Sequence, residues 1–106
     1  MKKFLVIGNP ISHSLSPKLH NYWLKKNNIN GIYEKEKLNN DELGNLLLKL
    51  KNNEVSGINV TVPFKKKIIP FLDELSVEAE NTQSVNTIYL NNNKIKGHNK
   101  IGRAHV

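Results

Sequence analysis

Four short stretches of this chain carry side chains that could do chemistry. The first is Gly8-Asn9-Pro10-Ile11-Ser12-His13-Ser14-Leu15-Ser16-Pro17. Ser14 and Ser16 offer two hydroxyl donors at a predicted helix start, where unpaired backbone N–H groups and the helix dipole attract negative charge. That combination suits a small anion such as a carboxylate. The competing reading is that Ser16 only caps the helix and Ser14 only shapes a turn. The second stretch is Asn59-Val60-Thr61-Val62-Pro63-Phe64-Lys65. Asn59 and Thr61 share one face of a strand, because side chains alternate with period two. A lysine beside polar groups in a cleft can move a proton, although Lys65 also begins the run Lys65-Lys66-Lys67 and could be a solvated cation. The third is Ser84-Val85-Asn86-Thr87, where the Asn86 amide can donate to and accept from a hydroxyl, or simply sit at a strand edge. The fourth is Gly97-His98-Asn99, the lining of a cleft or a loop. His13, His20, His98 and His105 show no metal-ligand spacing, so no metal is expected.

These residues need elements to position them. Residues 3–8 read as a short buried strand ended by Gly8-Asn9-Pro10. Ser16-Pro17 opens a helix whose apolar face is Leu15, Leu19, Tyr22 and Trp23, ending near Asn27-Asn28. Residues 32–38 form a weaker strand with a charged centre. Asn40 is the expected cap of the next helix, with Asp41 and Glu42 in its first turn and Leu43, Leu46, Leu47 and Leu50 on one face. After Gly57 comes a strand from Ile58 to Val62 that Pro63 stops. A short helix over 64–69 is cut by Pro70, and another starts at Ser76. Residues 85–90 and 94–98 make a hairpin across Asn91-Asn92-Asn93, residues tolerant of left-handed geometry. Alternating strands and helices predict an α/β fold, a mainly parallel sheet flanked by helices with a C-terminal hairpin. Ligands of such sheets bind beyond the carboxyl ends of the strands, which places Gly8 to Ser16 near Thr61 to Lys65.

Composition narrows the classes. A chain of 106 residues fits one domain, with no internal repeat or linker. No apolar run approaches the roughly 18–20 residues of a membrane span, and the five apolar residues near the start are too few for a signal peptide. The chain has no cysteine, which removes disulfides and thiolate metal sites and is compatible with a reducing cytoplasm. The net charge of +7 invites nucleic-acid binding. However, the 15 lysines are scattered, and 17 asparagines accompany them, a pattern of compositional bias rather than a binding footprint. No nucleic acid and no membrane are expected as partners.

The order and spacing of the four stretches carry more than any one of them. Gly-Asn-Pro-Ile-x-His-Ser-x-Ser-Pro, then Asn-Val-Thr-x-Pro-Phe-Lys, then Val-Asn-Thr, then Gly-His-Asn resembles the N-terminal, substrate-binding domain of shikimate dehydrogenases, from residue 4 to residue 99. The resemblance implies an NADP-dependent oxidoreductase that interconverts 3-dehydroshikimate and shikimate in aromatic amino acid biosynthesis. It implies that Ser14 and Ser16 hold the substrate carboxylate, and that Thr61, Lys65 and Asn86 bind ring hydroxyls. Lys65 would also be the catalytic acid/base, protonating the alkoxide that forms when a ketone is reduced. Asn59 would support the strand end. A quinate-using relative is the nearest rival within the enzyme class.

The chain departs from the family after residue 99. The family continues Gly-His-Asn-Thr-Asp-Gly, whereas here Gly97-His98-Asn99 is followed by Lys100-Ile101-Gly102. Ile101 replaces the aspartate that pairs with the catalytic lysine, and isoleucine accepts no hydrogen bond. No G-x-G-x-x-G dinucleotide loop occurs, so no NADP site is expected in these residues. The family's closing helix is not found either. Arg103 is the one arginine, and it lies in this divergent stretch. The expectation is therefore a substrate-binding domain over 1–99 with a non-native tail over 100–106, itself inactive as a dehydrogenase. The alternative is a stand-alone binding module for shikimate or a quinate-type hydroxy acid.

Overall fold

The computed structural model describes residues 2–9, 21–22, 24–28, 30–61 and 63–99. Its centre is β1 (Lys2–Gly8), flanked in parallel by β2 (Gly31–Lys37) and β3 (Gly57–Val60). The helical residues 21, 22 and 24–26 (α1) lie between β1 and β2 in sequence. α2 (Leu43–Lys51) links β2 to β3. Beyond β3 come α3 (Phe64–Lys67), a 3-10 turn over Ile69–Phe71, β4 (Glu74–Leu75), α4 (Val77–Thr82), β5 (Thr87–Asn91) and β6 (Lys94–His98). The six strands form one sheet in the order β2-β1-β3-β5-β6-β4. β5 runs antiparallel to both β3 and β6, while β4 pairs in parallel with β6. The fold is the expected α/β sheet with helices and a C-terminal hairpin.

Strand alternation sorts the apolar residues onto two faces. Leu5 and Ile7 of β1, Ile58 and Val60 of β3, Ile88 of β5 and Ile95 of β6 turn to one side. There they meet Leu43, Leu46, Leu47 and Leu50, the predicted face of α2. Each fully buried leucine contributes about 2 kcal/mol from apolar burial, so this layer dominates the stability. The other face is smaller: Val6, Leu24 and Tyr33, with Phe4 packed against them. Among the described residues no helix is long and apolar enough to cross a membrane.

Several boundaries differ from the sequence expectation. The cap before α2 is Asn39, not Asn40: a 3-10 turn over Asn40–Glu42 precedes the helix, and the Glu42 carboxylate accepts the Asn39 N–H at 2.7 Å. This is the reciprocal half of a capping box, which places its acidic residue three positions after the cap. β3 ends at Val60, because the Thr61 carbonyl accepts the Phe64 N–H (3.1 Å) and the chain is already turning. Pro70 does not cut a helix; it sits in the first turn of Ile69–Phe71, where its missing N–H is not needed. The hairpin loop has two residues, Asn92 and Asn93, with φ of 53° and 62°. Positive φ at both positions is what a two-residue hairpin of native twist requires. The helix expected to start at Ser76 begins at Val77, with Ser76 as its cap, the hydroxyl accepting the Ala79 N–H at 3.1 Å.

β4 has no counterpart in the sequence reading, since two residues make no pattern. It exists because β6 lets it approach: a Cβ built on Gly97 would lie 2.5 Å from Leu72 Cδ1, 3.1 Å from Val85 Cγ2 and 3.2 Å from Leu75 Cδ2. A side chain at Gly97 of the Gly-His-Asn stretch would thus force the methyls of Leu72, Val85 and Leu75 to shift. Gly97→Ala is expected to cost about 1–3 kcal/mol, the usual penalty for overfilling a packed core. Urea unfolding followed by far-UV circular dichroism checks this; an unchanged midpoint would show that the contact relaxes freely.

Candidate active site

Three of the four stretches meet at the carboxyl end of β3, and backbone hydrogen bonds hold them there. The Val60 N–H donates to the Asn86 carbonyl at 2.9 Å, and the Asn86 N–H donates to the His98 carbonyl at 3.0 Å. The Val85 N–H donates to the Lys65 carbonyl at 2.8 Å. Thr61 continues the β1–β3 pairing by donating to the Ile7 carbonyl at 2.9 Å. Thr61, Lys65 and Asn86 therefore surround one strand end. β1 is parallel to β3, with Ile7 opposite Val60, so the chain leaves β1 through Gly8 and Asn9 at the same end. Asn9 is fastened there by its amide N–H to the Leu38 carbonyl (3.2 Å). Ser14 and Ser16 lie outside the described residues, as does the helix start at Ser16-Pro17.

Lys65 differs from the lysines beside it. In α3, Phe64 is buried, Lys65 is half-buried, and Lys66 and Lys67 are exposed. The Lys65 backbone, through its carbonyl, is tied to Val85, just ahead of β5.

Behind this corner lies a set of uncharged polar side chains. Asn59 Nδ2 donates to the Asn86 carbonyl and to Thr87 Oγ, both at 3.3 Å, and the Tyr33 hydroxyl donates to Asn59 Oδ1. The Thr87 hydroxyl donates to Asn86 Oδ1 at 3.0 Å, and Asn86 Nδ2 donates to Asn99 Oδ1 at 3.1 Å. Asn99, only 9% exposed, donates through Nδ2 to Thr82 Oγ at 2.9 Å. Among the described residues no buried side-chain nitrogen or oxygen lacks a hydrogen-bond partner. Asn59, expected to support the strand end, bonds the Asn86 carbonyl there, and Asn99, one residue past β6, is a buried link. Tyr33, Thr82 and Thr87 were given no separate role by the sequence. Tyr33 could have been singled out as the one aromatic residue in an otherwise charged strand.

Comparisons with known proteins give the family. The model of the shikimate dehydrogenase substrate-binding domain matches residues 6–88. The chain belongs to that family. An NADP(+) shikimate dehydrogenase of Pelagibacter ubique is 63% identical over 98 residues, covering 92% of this chain and 37% of the relative. One from Pyrococcus furiosus is 43% identical over 101 residues, with 95% and 37% covered. The solved shikimate dehydrogenase of Aquifex aeolicus superposes with a TM-score of 0.87 at 39% identity, covering 93% of this chain and 37% of that one. The Thermus thermophilus enzyme in complex with shikimate gives 0.87 at 32% identity, covering 93% and 38%. The chain thus spans a little over a third of the length of the shikimate dehydrogenases it matches.

Burial holds the Tyr33 phenol well above its ordinary value of 10.0. The folded state favours the neutral form, so the associated stability is complete below about pH 10 and is lost as pH rises above it, where the unfolded chain ionises first. Tyr33→Phe is expected to cost about 1–2 kcal/mol at neutral pH, because Asn59 Oδ1 loses its donor. It should also flatten the decline in unfolding free energy between pH 9.5 and 11, a window set by the roughly pH 10 onset. Urea titrations of both chains across that window check the prediction; equal slopes would contradict it.

Proposed function

We propose that these residues bind shikimate and 3-dehydroshikimate as the substrate-binding domain of an NADP-dependent shikimate dehydrogenase. The observation that carries the reading is the convergence of Thr61, Lys65 and Asn86 on one strand end, where β1 also ends in Gly8 and Asn9. In this reading Ser14 and Ser16 hold the carboxylate, and Thr61 and Asn86 bind ring hydroxyls. Lys65 binds a hydroxyl and is the catalytic acid/base. Reducing the ring ketone builds negative charge on its oxygen; a lysine ammonium beside that atom stabilises the charge and then supplies the proton.

Two clefts among the described residues are poorly suited to NADP. One cleft is lined by Glu36, Leu38, Glu42, Asn45, Leu46 and Lys49, another by Ile69, Leu72, Asp73, Glu74, Leu75 and Glu80. Their carboxylates would repel a dinucleotide's phosphates. The hydride step is therefore assigned to the whole dehydrogenase, and oxidoreduction by these 106 residues alone is not expected. Ile101, where the family pattern has aspartate, removes a partner for Lys65 and weighs the same way. Residues 100–106, read from sequence as a non-native tail, lie outside the described residues. A cysteine-free chain of this kind suits a reducing cytoplasm.

Calorimetric titration of the purified chain with shikimate tests the reading. Saturable binding is expected, and Lys65→Ala should weaken it about tenfold or more, the ~1.4 kcal/mol or greater of a charge-assisted hydrogen bond. A folded chain that binds no shikimate would overturn it. Equal binding of quinate would move the assignment to the quinate-using relatives.

A further inference from the structure

The polar side chains behind the corner form a chain with a single direction. Each one donates a hydrogen to the next: Tyr33 O–H to Asn59 Oδ1, Asn59 Nδ2 to Thr87 Oγ, Thr87 Oγ to Asn86 Oδ1, Asn86 Nδ2 to Asn99 Oδ1, and Asn99 Nδ2 to Thr82 Oγ. The last link sets the sense. Thr82 Oγ faces two backbone carbonyls, Glu78 O at 2.8 Å and Ser84 O at 3.4 Å, and both can only accept. The Thr82 hydroxyl spends its one hydrogen there, so toward Asn99 it must accept. Asn99 therefore turns Nδ2 to Thr82 and Oδ1 to Asn86. Asn86 in turn must present Nδ2 to Asn99, and its Oδ1 faces the Thr87 hydroxyl. An asparagine amide turned by 180° would occupy the same space with donor and acceptor exchanged, and this relay removes that alternative.

We propose that Asn99 is a positioning residue for Asn86: through the bond to Thr82 it fixes the plane and the sense of the Asn86 amide, and so decides which hydroxyl geometry the site accepts. The inference rests on the shikimate-binding reading above. Reorienting a polar group during binding costs affinity, and a group already held in its bound orientation avoids that cost. Thr82 is the last residue of α4, away from the end of β3. Its contribution is made through Asn99 and not by touching a ligand.

Two measurements on the 106-residue chain separate the claim from a purely structural role. The first needs no ligand. The side-chain amide signals of Asn86, assigned in nitrogen-15 spectra of the free chain, should shift in Asn99→Leu and in Thr82→Val, and Thr82→Ser should restore them. The second is a double-mutant cycle on shikimate affinity. Asn99→Leu should weaken binding about fivefold to tenfold in the unaltered chain, yet less than twofold when Asn86 is already alanine. Asn86 signals that do not move in Asn99→Leu would overturn the relay. Signals that move while the two affinity losses simply add would overturn the positioning role and leave Asn99 a packing residue. Should Asn99→Leu fail to fold, the Thr82→Val and Thr82→Ser pair decides in the same way, because Thr82 is exposed at the surface. Absence of shikimate binding by the unaltered chain overturns the functional reading, and with it the positioning role, whatever the spectra show.

Discussion

Val60 donates its backbone N–H to the Asn86 carbonyl, and Val85 donates its own to the Lys65 carbonyl. These two bonds bring the second and third chemical stretches together, although they lie far apart in sequence. They can form only because β5 enters the sheet beside β3 in antiparallel register, with Ile58 opposite Ile88 and Asn59 opposite Thr87. A slip of one residue would send Ile88 to the polar face and Thr87 into the leucine layer of α2, so the apolar core itself enforces the register. The site is thus fixed by burial at a distance from it. Leu43, Leu46, Leu47 and Leu50 touch no candidate ligand, yet they determine where Asn86 stands.

The opposite face of the sheet works under a different constraint. It has few apolar residues, and Tyr33, Asn59 and Thr87 stand on it; from Thr87 the hydrogen bonds continue through Asn86 and Asn99 to Thr82 on α4. Buried polar networks are stabilising only when every member is satisfied, because an unpaired amide in a low-dielectric setting costs as much as several good contacts provide. Here the bonds close without an unsatisfied buried group among the described residues. Such a network trades stability for orientation. Apolar residues at these positions would pack as well, but they would leave the Asn86 amide free to turn.

Much of this was legible in the sequence, for identifiable reasons. The α2 face repeats at helical spacing, Ser76 is a side-chain cap, and Asn92-Asn93 supplies the left-handed pair that a tight hairpin needs. These are local signals, and each concerns a few adjacent residues. What was not legible is non-local. β4 is two residues held by Leu72 and Leu75 against Gly97, and nothing nearby in sequence announces that approach. The Tyr33 role depends on a hydroxyl reaching across β1 to Asn59, which no spacing rule encodes. The cap shifted from Asn40 to Asn39 because two adjacent asparagines offer the same chemistry, and only Glu42, three positions after Asn39, breaks the tie. Within the candidate site, the order of the motifs nominated Thr61, Lys65 and Asn86 and included Asn99, whereas the link from Asn99 to Thr82 required coordinates.

The central claim is that one ligand touches the end of β3, the first turn of α3 and the start of β5 together. Backbone amide shifts of the nitrogen-15-labelled chain, followed through a shikimate titration, test it most directly. The largest shifts are expected at Thr61, Lys65 and Asn86 and along residues 9–16, with a common saturation point, while α2 and the outer edge of β2 stay still. Shifts centred instead on the acidic clefts beside Glu42 or Glu74, or a titration that moves no resonance of the folded chain, would contradict it.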